Sequence, residues 1–267
     1  MQISISNIAW DEEYDAQMYS YLEKLGFDGI EIAPTRIWKE HPYEHLKDAR
    51  EYGQMLWEKH HLKISSMQSI WFGRTERVFG TKEERNELIE YTKRALEFAN
   101  VLGCENLVFG CPRNRNVFEG CDVDIDVVTL DFFGQLAECA EKNHTVLAME
   151  ANPPIYNTNY INTTMQAYEL VEQINHRGFK LNYDLGTVIQ NQESLTDITC
   201  FAKEINHVHI SEPGLKPISI GEMQKALCTH LNEKGYERFV SLEMGNPKDL
   251  LKVQETCCAF RDMVRGL

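Results

Sequence analysis

Short runs of apolar and β-branched residues recur along the chain, and each is followed by a stretch with helical periodicity. Eight runs are predicted strands: QISIS from residue 2, DGIEIA from 28, LKISSMQ from 62, ENLVFG from 105, TVLAME from 145, FKLNYD from 179, NHVHIS from 206 and RFVSLEM from 238. Strands that alternate with helices pair in parallel, so the pattern predicts the α/β class and a single eight-stranded parallel (β/α)8 barrel, the TIM barrel, as one domain over residues 1–267. No GxGxxG follows a strand, which disfavours a doubly wound sheet.

Several helix boundaries are indicated by local signals. The segments Thr81–Glu84 and Ser219–Glu222 match the capping box, in which a hydroxyl and a carboxylate bond free amides at a helix start. Asn246–Pro247 has the form of a cap followed by proline at the first helical position. Gly26 and Gly103 follow helical segments and suit the left-handed residue that ends a helix.

The connections after the third, fourth and fifth strands are long. They span about 71–81, 111–122 and 152–163, beyond the usual βα loop of roughly 2 to 6 residues. In (β/α)8 barrels these loops lie at the carboxyl ends of the strands, where sites are built. The sequence therefore predicts a functional site at that face.

The last four strands each end in a side chain that is able to bind a metal. Alternation along a strand places Glu150, Asp184, His209 and Glu243 on the inward face, at the carboxyl end of their strands. His207 shares that face one layer deeper. Folding alone does not require ligand-type residues at all four strand ends, so we expect the four side chains to meet at one site.

Three carboxylates brought together are costly unless a cation compensates them. A divalent metal held by Glu150, Asp184, His209 and Glu243 meets that need. Oxygen ligands with one imidazole favour Mn²⁺, with Mg²⁺, Co²⁺ or Zn²⁺ as alternatives. His207 is expected to support the ligands from behind rather than bind the metal.

Composition narrows the classes of partner. A formal net charge of -14 disfavours nucleic acid and anionic membrane surfaces. The chain start lacks a signal-peptide pattern, no run reaches the length of a membrane span, and the eight cysteines form no CxxC pair. We expect a cytoplasmic protein with reduced thiols that acts on a small molecule. A homo-oligomer is compatible with the sequence.

Four motifs in order carry a family resemblance. LAMEANP, NYDLGT, HVHISEP and VSLEMG, together with GFDGIEIAP at the second strand, resemble the xylose isomerase-like barrel superfamily of sugar-phosphate isomerases and epimerases. Its relatives include ketose 3-epimerases, hydroxypyruvate isomerase, inosose dehydratase and endonuclease IV. The resemblance covers nearly the whole chain. It implies a metal site at Glu150, Asp184, His209 and Glu243, with Glu150 and Glu243 as the catalytic acid and base.

The chain departs from the ketose epimerases at three places. Tyr156 stands near the position of a second carboxylate, Thr187 lies where a histidine follows the sixth-strand aspartate, and Lys216 lies where an arginine follows the seventh-strand histidine. These departures leave the metal chemistry intact and put the substrate assignment in doubt.

The resulting hypothesis is a metal-dependent sugar or sugar-phosphate isomerase or epimerase. It would act through a metal-bound cis-enediolate, with one glutamate removing a proton and the other returning it. Arginines 74, 77, 113 and 115 in the long loops could hold an anionic substrate group or pair with nearby glutamates. Asn7, Trp10 and Glu31 are weaker candidates for hydroxyl contacts. The predicted substrate contacts are Gln68, Trp71, Arg113, Asn152, Tyr156 and Lys216.

Three alternatives remain at the level of the sequence. An inosose-type dehydratase would use the same metal and expel a hydroxyl, which changes the product mass. A non-catalytic sugar-binding barrel would explain the missing carboxylate and histidine. An endonuclease IV-like nuclease is disfavoured by the acidic charge and by the absence of further strand-end histidines.

Overall fold

All eight predicted strands are present in the computed structural model, which describes residues 1–267, and each begins and ends within one residue of its predicted limits. The strands are β1 Gln2–Ile5, β2 Gly29–Ile32, β3 Lys63–Met67, β4 Asn106–Phe109, β5 Val146–Glu150, β6 Phe179–Asp184, β7 Ile205–Ser211 and β8 Phe239–Glu243. They run parallel in the order β1-β8-β7-β6-β5-β4-β3-β2. A single parallel bridge between Ser6 and Glu31 joins the two ends of the sheet. The (β/α)8 barrel is confirmed.

Ten helices surround the sheet. They are α1 Asp15–Leu25, α2 Pro34–Ile37, α3 Leu46–His60, α4 Lys82–Leu102, α5 Ile125–Lys142, α6 Thr164–Ile174, α7 Leu185–Asn191, α8 Ile198–Phe201, α9 Glu222–Glu233 and α10 Leu250–Arg265. Short 3₁₀ helices at Asn7–Ala9, Pro112–Arg115, Pro154–Tyr156 and Pro213–Leu215 lie in the loops at the carboxyl ends of the strands. No helix combines the length and the apolar character needed to cross a membrane.

The predicted caps are confirmed at some helix boundaries and wrong at others. Thr81–Glu84 forms the capping box of α4, and Gly26 and Gly103 end α1 and α4 with a left-handed backbone. The Ser219–Glu222 prediction is wrong, because α9 begins at Glu222 and the Gln224 side chain accepts the Gly221 amide.

The start of the last helix also differs from the prediction. Asp249 caps α10 by accepting the Lys252 amide, so Asn246–Pro247 lies in the preceding loop. There Asn246 accepts the Lys248 amide. A polar side chain that bonds an amide two residues ahead builds a turn as readily as a cap, which is why the sequence signal was ambiguous.

The two faces of the barrel wall differ in polarity. Outward side chains such as Ile30, Leu107 and Leu147 are fully buried against the helices and form the apolar core. The barrel interior contains many polar side chains instead: Ser4, Glu31, Ser66, Asn106, Asn182, His207, His209 and Ser241, all at most 2% exposed. Several of these groups bond to one another, as Asn106 does to Ser66 and His209 to Glu31, whereas the hydroxyls of Ser4 and Ser241 have no hydrogen-bond partner.

The three long loops bond to one another above the barrel. The Asn114 side chain donates to the carbonyls of Arg74 and Glu76, and thereby joins the loop after β3 to the loop after β4. The Asn159 side chain accepts a hydrogen bond from the Val117 amide and donates one to the Val117 carbonyl. It thereby joins the loops after β4 and β5. These contacts give the loops a defined path over the carboxyl ends of the strands.

Candidate metal centre

The four strand-end residues converge at the carboxyl end of the barrel. One ligand atom each from Glu150, Asp184, His209 and Glu243 lies within 4.8 Å of all the others. The register of neighbouring strands contributes to this convergence. Asp184 of β6 pairs with His209 of β7, and Glu243 of β8 pairs with Ser211, which lies two residues after His209 in β7. The predicted group is therefore geometrically compact.

His209 lies at the centre of the group. Its Nδ1 is 2.9 Å from Glu150 Oε1 and 3.2 Å from Glu243 Oε2. Its Nε2 is 2.8 Å from Glu31 Oε2 on the opposite side. Burial disfavours a charged imidazole, but the carboxylates of Glu243 and Glu31 raise the pKa of His209 well above its usual value.

Three carboxylates, those of Glu150, Asp184 and Glu243, lie close together around His209. Burial raises the pKa of Asp184, and the charge of Glu150 raises it further. Burial also raises the pKa of Glu243 to about 7, against the opposing charge of His209. Three carboxylates that share one imidazole have too little positive charge around them, and a divalent cation at Nδ1 of His209 would supply it.

Glu31 has a larger role than the sequence indicated. It is fully buried, Gln68 donates to its Oε1, and its Oε2 accepts from Nε2 of His209. With a metal bound at Nδ1, this carboxylate would hold the remaining proton of His209 on Nε2, and Nδ1 is directed toward Glu150 and Glu243. Glu31 was predicted as a weak hydroxyl contact, but its oxygens are occupied inside the barrel.

His207 lies one layer below His209, as its position in the strand predicts. Its ring meets that of His209 edge to face at 5.3 Å, and its Nε2 is 3.2 Å from Glu31 Oε2. Burial lowers the pKa of His207. The side chain therefore packs as a neutral group behind Glu31, away from the four converging ligand atoms.

Hydrogen bonds from Thr187 and Ser211 orient the Asp184 carboxylate. Its Oδ2 accepts from the Thr187 amide at 2.7 Å and from the Thr187 hydroxyl at 2.8 Å. Its Oδ1 accepts from the Ser211 hydroxyl. Thr187 stands where related epimerases were expected to have a histidine, and here it orients a candidate ligand.

A cavity of about 190 Å³ opens over the four candidate ligands. Gln68, Asn152 and Tyr156 line it together with Glu150, Asp184 and Glu243. Asn152 donates to Glu150 Oε2, and the Tyr156 hydroxyl accepts the Gly214 amide, which ties the loop after β5 to the loop after β7. Three of the six predicted substrate contacts thus face the cavity.

The other predicted contacts lie elsewhere. Trp71 is 3% exposed, its indole N–H donates to Thr92, and its ring packs on Phe109. Trp71 is therefore part of the core and offers no surface to a substrate. Arg113 and Lys216 are exposed and lie outside the cavity lining.

The remaining loop arginines also do not face the cavity. Arg74 pairs with Glu76 and Glu87, and Arg77 pairs with Glu84. Arg115 is fully buried behind β5, where its guanidinium donates to the carbonyl of Glu150 and to the side chain of Asn152. Burial lowers the pKa of Arg115 to about 10.

We expect the Arg115→Lys variant to be destabilised by about 2 to 4 kcal/mol, because a lysine cannot reach the acceptors that the guanidinium joins and leaves them unpaired. Urea unfolding measures the effect. Arg113→Lys is the matched control, since Arg113 is exposed two residues away and should change stability by under about 0.5 kcal/mol. Equal stability of the two variants would contradict this reading of Arg115.

The donor set fits a hard divalent cation. Three carboxylates and one imidazole converge, the imidazole is oriented by a carboxylate behind it, and Asp184 is oriented by two hydroxyls. Oxygen-rich sets with one nitrogen are typical of Mn²⁺ and Mg²⁺ and are tolerated by Zn²⁺. The residues present therefore fit a metal site of that class.

Comparison with known proteins identifies the family. The family model described as xylose isomerase-like TIM barrel matches residues 19–260. The chain belongs to the xylose isomerase-like TIM barrel family. No curated protein sequence matches the chain.

Several solved structures share the fold. D-psicose 3-epimerase from Clostridium cellulolyticum H10, solved with D-tagatose, has a TM-score of 0.80 at 15% identity, over 100% of this chain and 99% of that one. The 3-keto-D-glucoside 4-epimerase of E. coli has a TM-score of 0.77 at 17% identity, over 98% and 99%. A zinc-bound IolI protein has a TM-score of 0.70 at 21% identity, over 100% and 96%. At these identities the similarity shows a common fold.

Proposed function

We propose that this protein is a divalent-metal-dependent isomerase or epimerase of an unphosphorylated ketose. The observation that carries the proposal is the convergence of Glu150, Asp184, His209 and Glu243 beneath a cavity at the carboxyl end of the barrel. Epimerases among the solved structures of the same fold support the reaction class. Mn²⁺ remains the favoured metal on ligand chemistry.

The positions of the two glutamates support their proposed roles as acid and base. Glu150 ends β5 and Glu243 ends β8, with β6 and β7 between them, and both line the cavity. Both approach Nδ1 of His209. A bound divalent cation would polarise the substrate carbonyl and lower the cost of removing a proton from the adjacent carbon.

In the proposed mechanism the carboxylates of Glu150 and Glu243 transfer the proton. Glu150 is oriented by Asn152, which donates to Oε2 at 2.9 Å, and by Asn182, which donates to Oε1 at 2.7 Å. One glutamate removes the proton and the other returns it. Return to the opposite face of the same carbon gives epimerisation, and return to the neighbouring carbon gives isomerisation.

The cavity favours a neutral sugar over a sugar phosphate. Its thirteen lining residues include no lysine or arginine and three carboxylates. Recognition of a phosphate depends on cationic donors, and Arg74, Arg77 and Arg115 are engaged elsewhere. The lining instead includes the uncharged polar side chains of Gln68 and Asn152 and the Tyr156 ring, and an aromatic ring suits the carbons of a sugar.

Solvent exchange tests the proposal. The manganese-loaded protein in D₂O should incorporate deuterium beside the carbonyl of at least one ketopentose or ketohexose. A phosphate ester of the same sugar should react with a lower kcat/KM, because the cavity lacks a cationic partner for it. A product lighter by one water would instead identify a dehydratase, and tight sugar binding without exchange would identify a non-catalytic barrel. Preference for the ester would contradict the neutral-sugar assignment.

A further inference from the structure

A second and larger cavity lies at the opposite end of the barrel. Its volume is about 780 Å³, within the roughly 300 to 1,000 Å³ typical of small-molecule sites. The first residues of four strands line it: Gln2, Lys63, Ile205 and Phe239. The cavity therefore opens at the amino ends of the strands, on the face away from the candidate metal centre. We call it the amino-end cavity.

Four cationic side chains surround the amino-end cavity. Lys63, Lys203, Lys234 and Arg238 line it, all are exposed, and none has a carboxylate oxygen within 4.0 Å of its charged nitrogens. Two acidic residues also line it, both exposed: Glu105 and Glu237. The local balance is positive by two charges on a protein whose formal net charge is -14.

Two buried polar residues, Ser65 and Asn206, lie on the inner wall of the amino-end cavity. Ser65 is 3% exposed, lines the cavity, and its hydroxyl has no hydrogen-bond partner. It is the extra residue of a bulge in β3, since Ile30 pairs with Ile64 while Glu31 pairs with Ser66. A second bulge leaves Asn206 as the extra residue of β7 on the same inner wall. Bulges redirect side chains and are common beside functional sites.

We propose that the amino-end cavity binds a small phosphate-bearing anion. Lysine and arginine side chains that line a cavity are the usual partners of phosphate oxygens, and their charge-assisted hydrogen bonds are strong. The cavity is larger than a lone phosphate needs, so a phosphate monoester of a small metabolite fits as well. The amino-end cavity opens on the face opposite the candidate metal centre, and His207 lies between the two, lining this cavity while contacting Glu31. The proposal does not depend on the proposed function.

Calorimetric titration of the magnesium-loaded protein tests the site, with inorganic phosphate and glycerol 3-phosphate as probes at low ionic strength. The Lys203→Gln/Arg238→Gln double variant should bind both probes at least about tenfold more weakly, because two charge-assisted contacts are lost. Both side chains are exposed, so the fold should be unaffected. Lys24→Gln/Arg50→Gln is the matched control, with two exposed cations outside the cavity.

The titration distinguishes a specific anion site in the amino-end cavity from binding elsewhere on the protein. Binding that weakens only in the cavity variant, and that falls as salt is raised, would support the site. Tighter binding of glycerol 3-phosphate would assign it to phosphate esters, and equal binding would assign it to the free anion. Unchanged affinity in the cavity variant, or no binding of either probe below about 10 mM to the unaltered protein, would overturn the proposal.

Discussion

We expect the Glu150→Gln variant, loaded with manganese, to catalyse solvent exchange into its ketose at least about 100-fold more slowly than the unaltered protein. General acid or base catalysis by a positioned carboxylate contributes roughly 10² to 10⁴ in rate, and glutamine cannot accept the proton. Glu243→Gln should lose a comparable factor, because in the proposed mechanism each glutamate performs one of the two proton transfers. Single-turnover exchange at saturating metal measures both.

The control for these variants is Glu119→Gln. Glu119 is an exposed glutamate in the loop after β4 that lies outside the cavity lining, so its variant should retain the full rate. The metal content of the Glu150→Gln and Glu243→Gln variants must be measured alongside the rate, because Glu150 and Glu243 are also candidate metal ligands. A Glu150→Gln protein that keeps its metal and exchanges within about threefold of the original rate would contradict the proposed acid and base.

The second large effect is expected from Glu31→Gln. Glu31 contacts His209 at 2.8 Å and His207 at 3.2 Å, and all three side chains are at most 1% exposed. Removing one partner of a buried ionic group typically costs about 3 to 5 kcal/mol, because the remaining partner keeps its desolvation penalty. Losing a carboxylate that orients a ligating imidazole lowers metal affinity by about 10- to 100-fold.

Urea unfolding and metal titration of the same protein separate the two roles of Glu31. Glu105→Gln is the matched control, because Glu105 is exposed immediately before β4 and makes no contact with the histidines. We expect this control to match the unaltered protein in both measurements. If Glu31→Gln lost neither stability nor metal affinity, the carboxylate would have no part in orienting His209.

Much of the fold could be predicted from local pattern because each βα unit carries its own signal. The β-branched runs located the strands, and strict alternation along a strand located the inward residues at their ends. The sequence alone therefore predicts the group formed by Glu150, Asp184, His209 and Glu243. The bulges at Ser65 and Asn206 did not disturb this choice, because they lie below the last inward positions of their strands.

Other features depend on contacts that no local pattern contains. The role of Glu31 arises from barrel closure, which brings β2 across the barrel from β7. Trp71 and Arg115 lie in long loops whose path decides whether a side chain faces the mouth or the interior, and both turned inward. For Glu31 the available signal was an acid in the middle of a buried strand, since a buried carboxylate requires a partner.

The central claim is that four strand ends hold one divalent cation, and metal analysis of purified protein tests it most directly. Elemental analysis after dialysis against manganese should find roughly one equivalent per chain in the unaltered protein. It should find under about a tenth of that in His209→Ala, because the central nitrogen ligand is gone. His230→Ala, which alters a partly exposed histidine on α9, should retain the full amount. Metal-free protein under these conditions, or equal content in His209→Ala, would contradict the account.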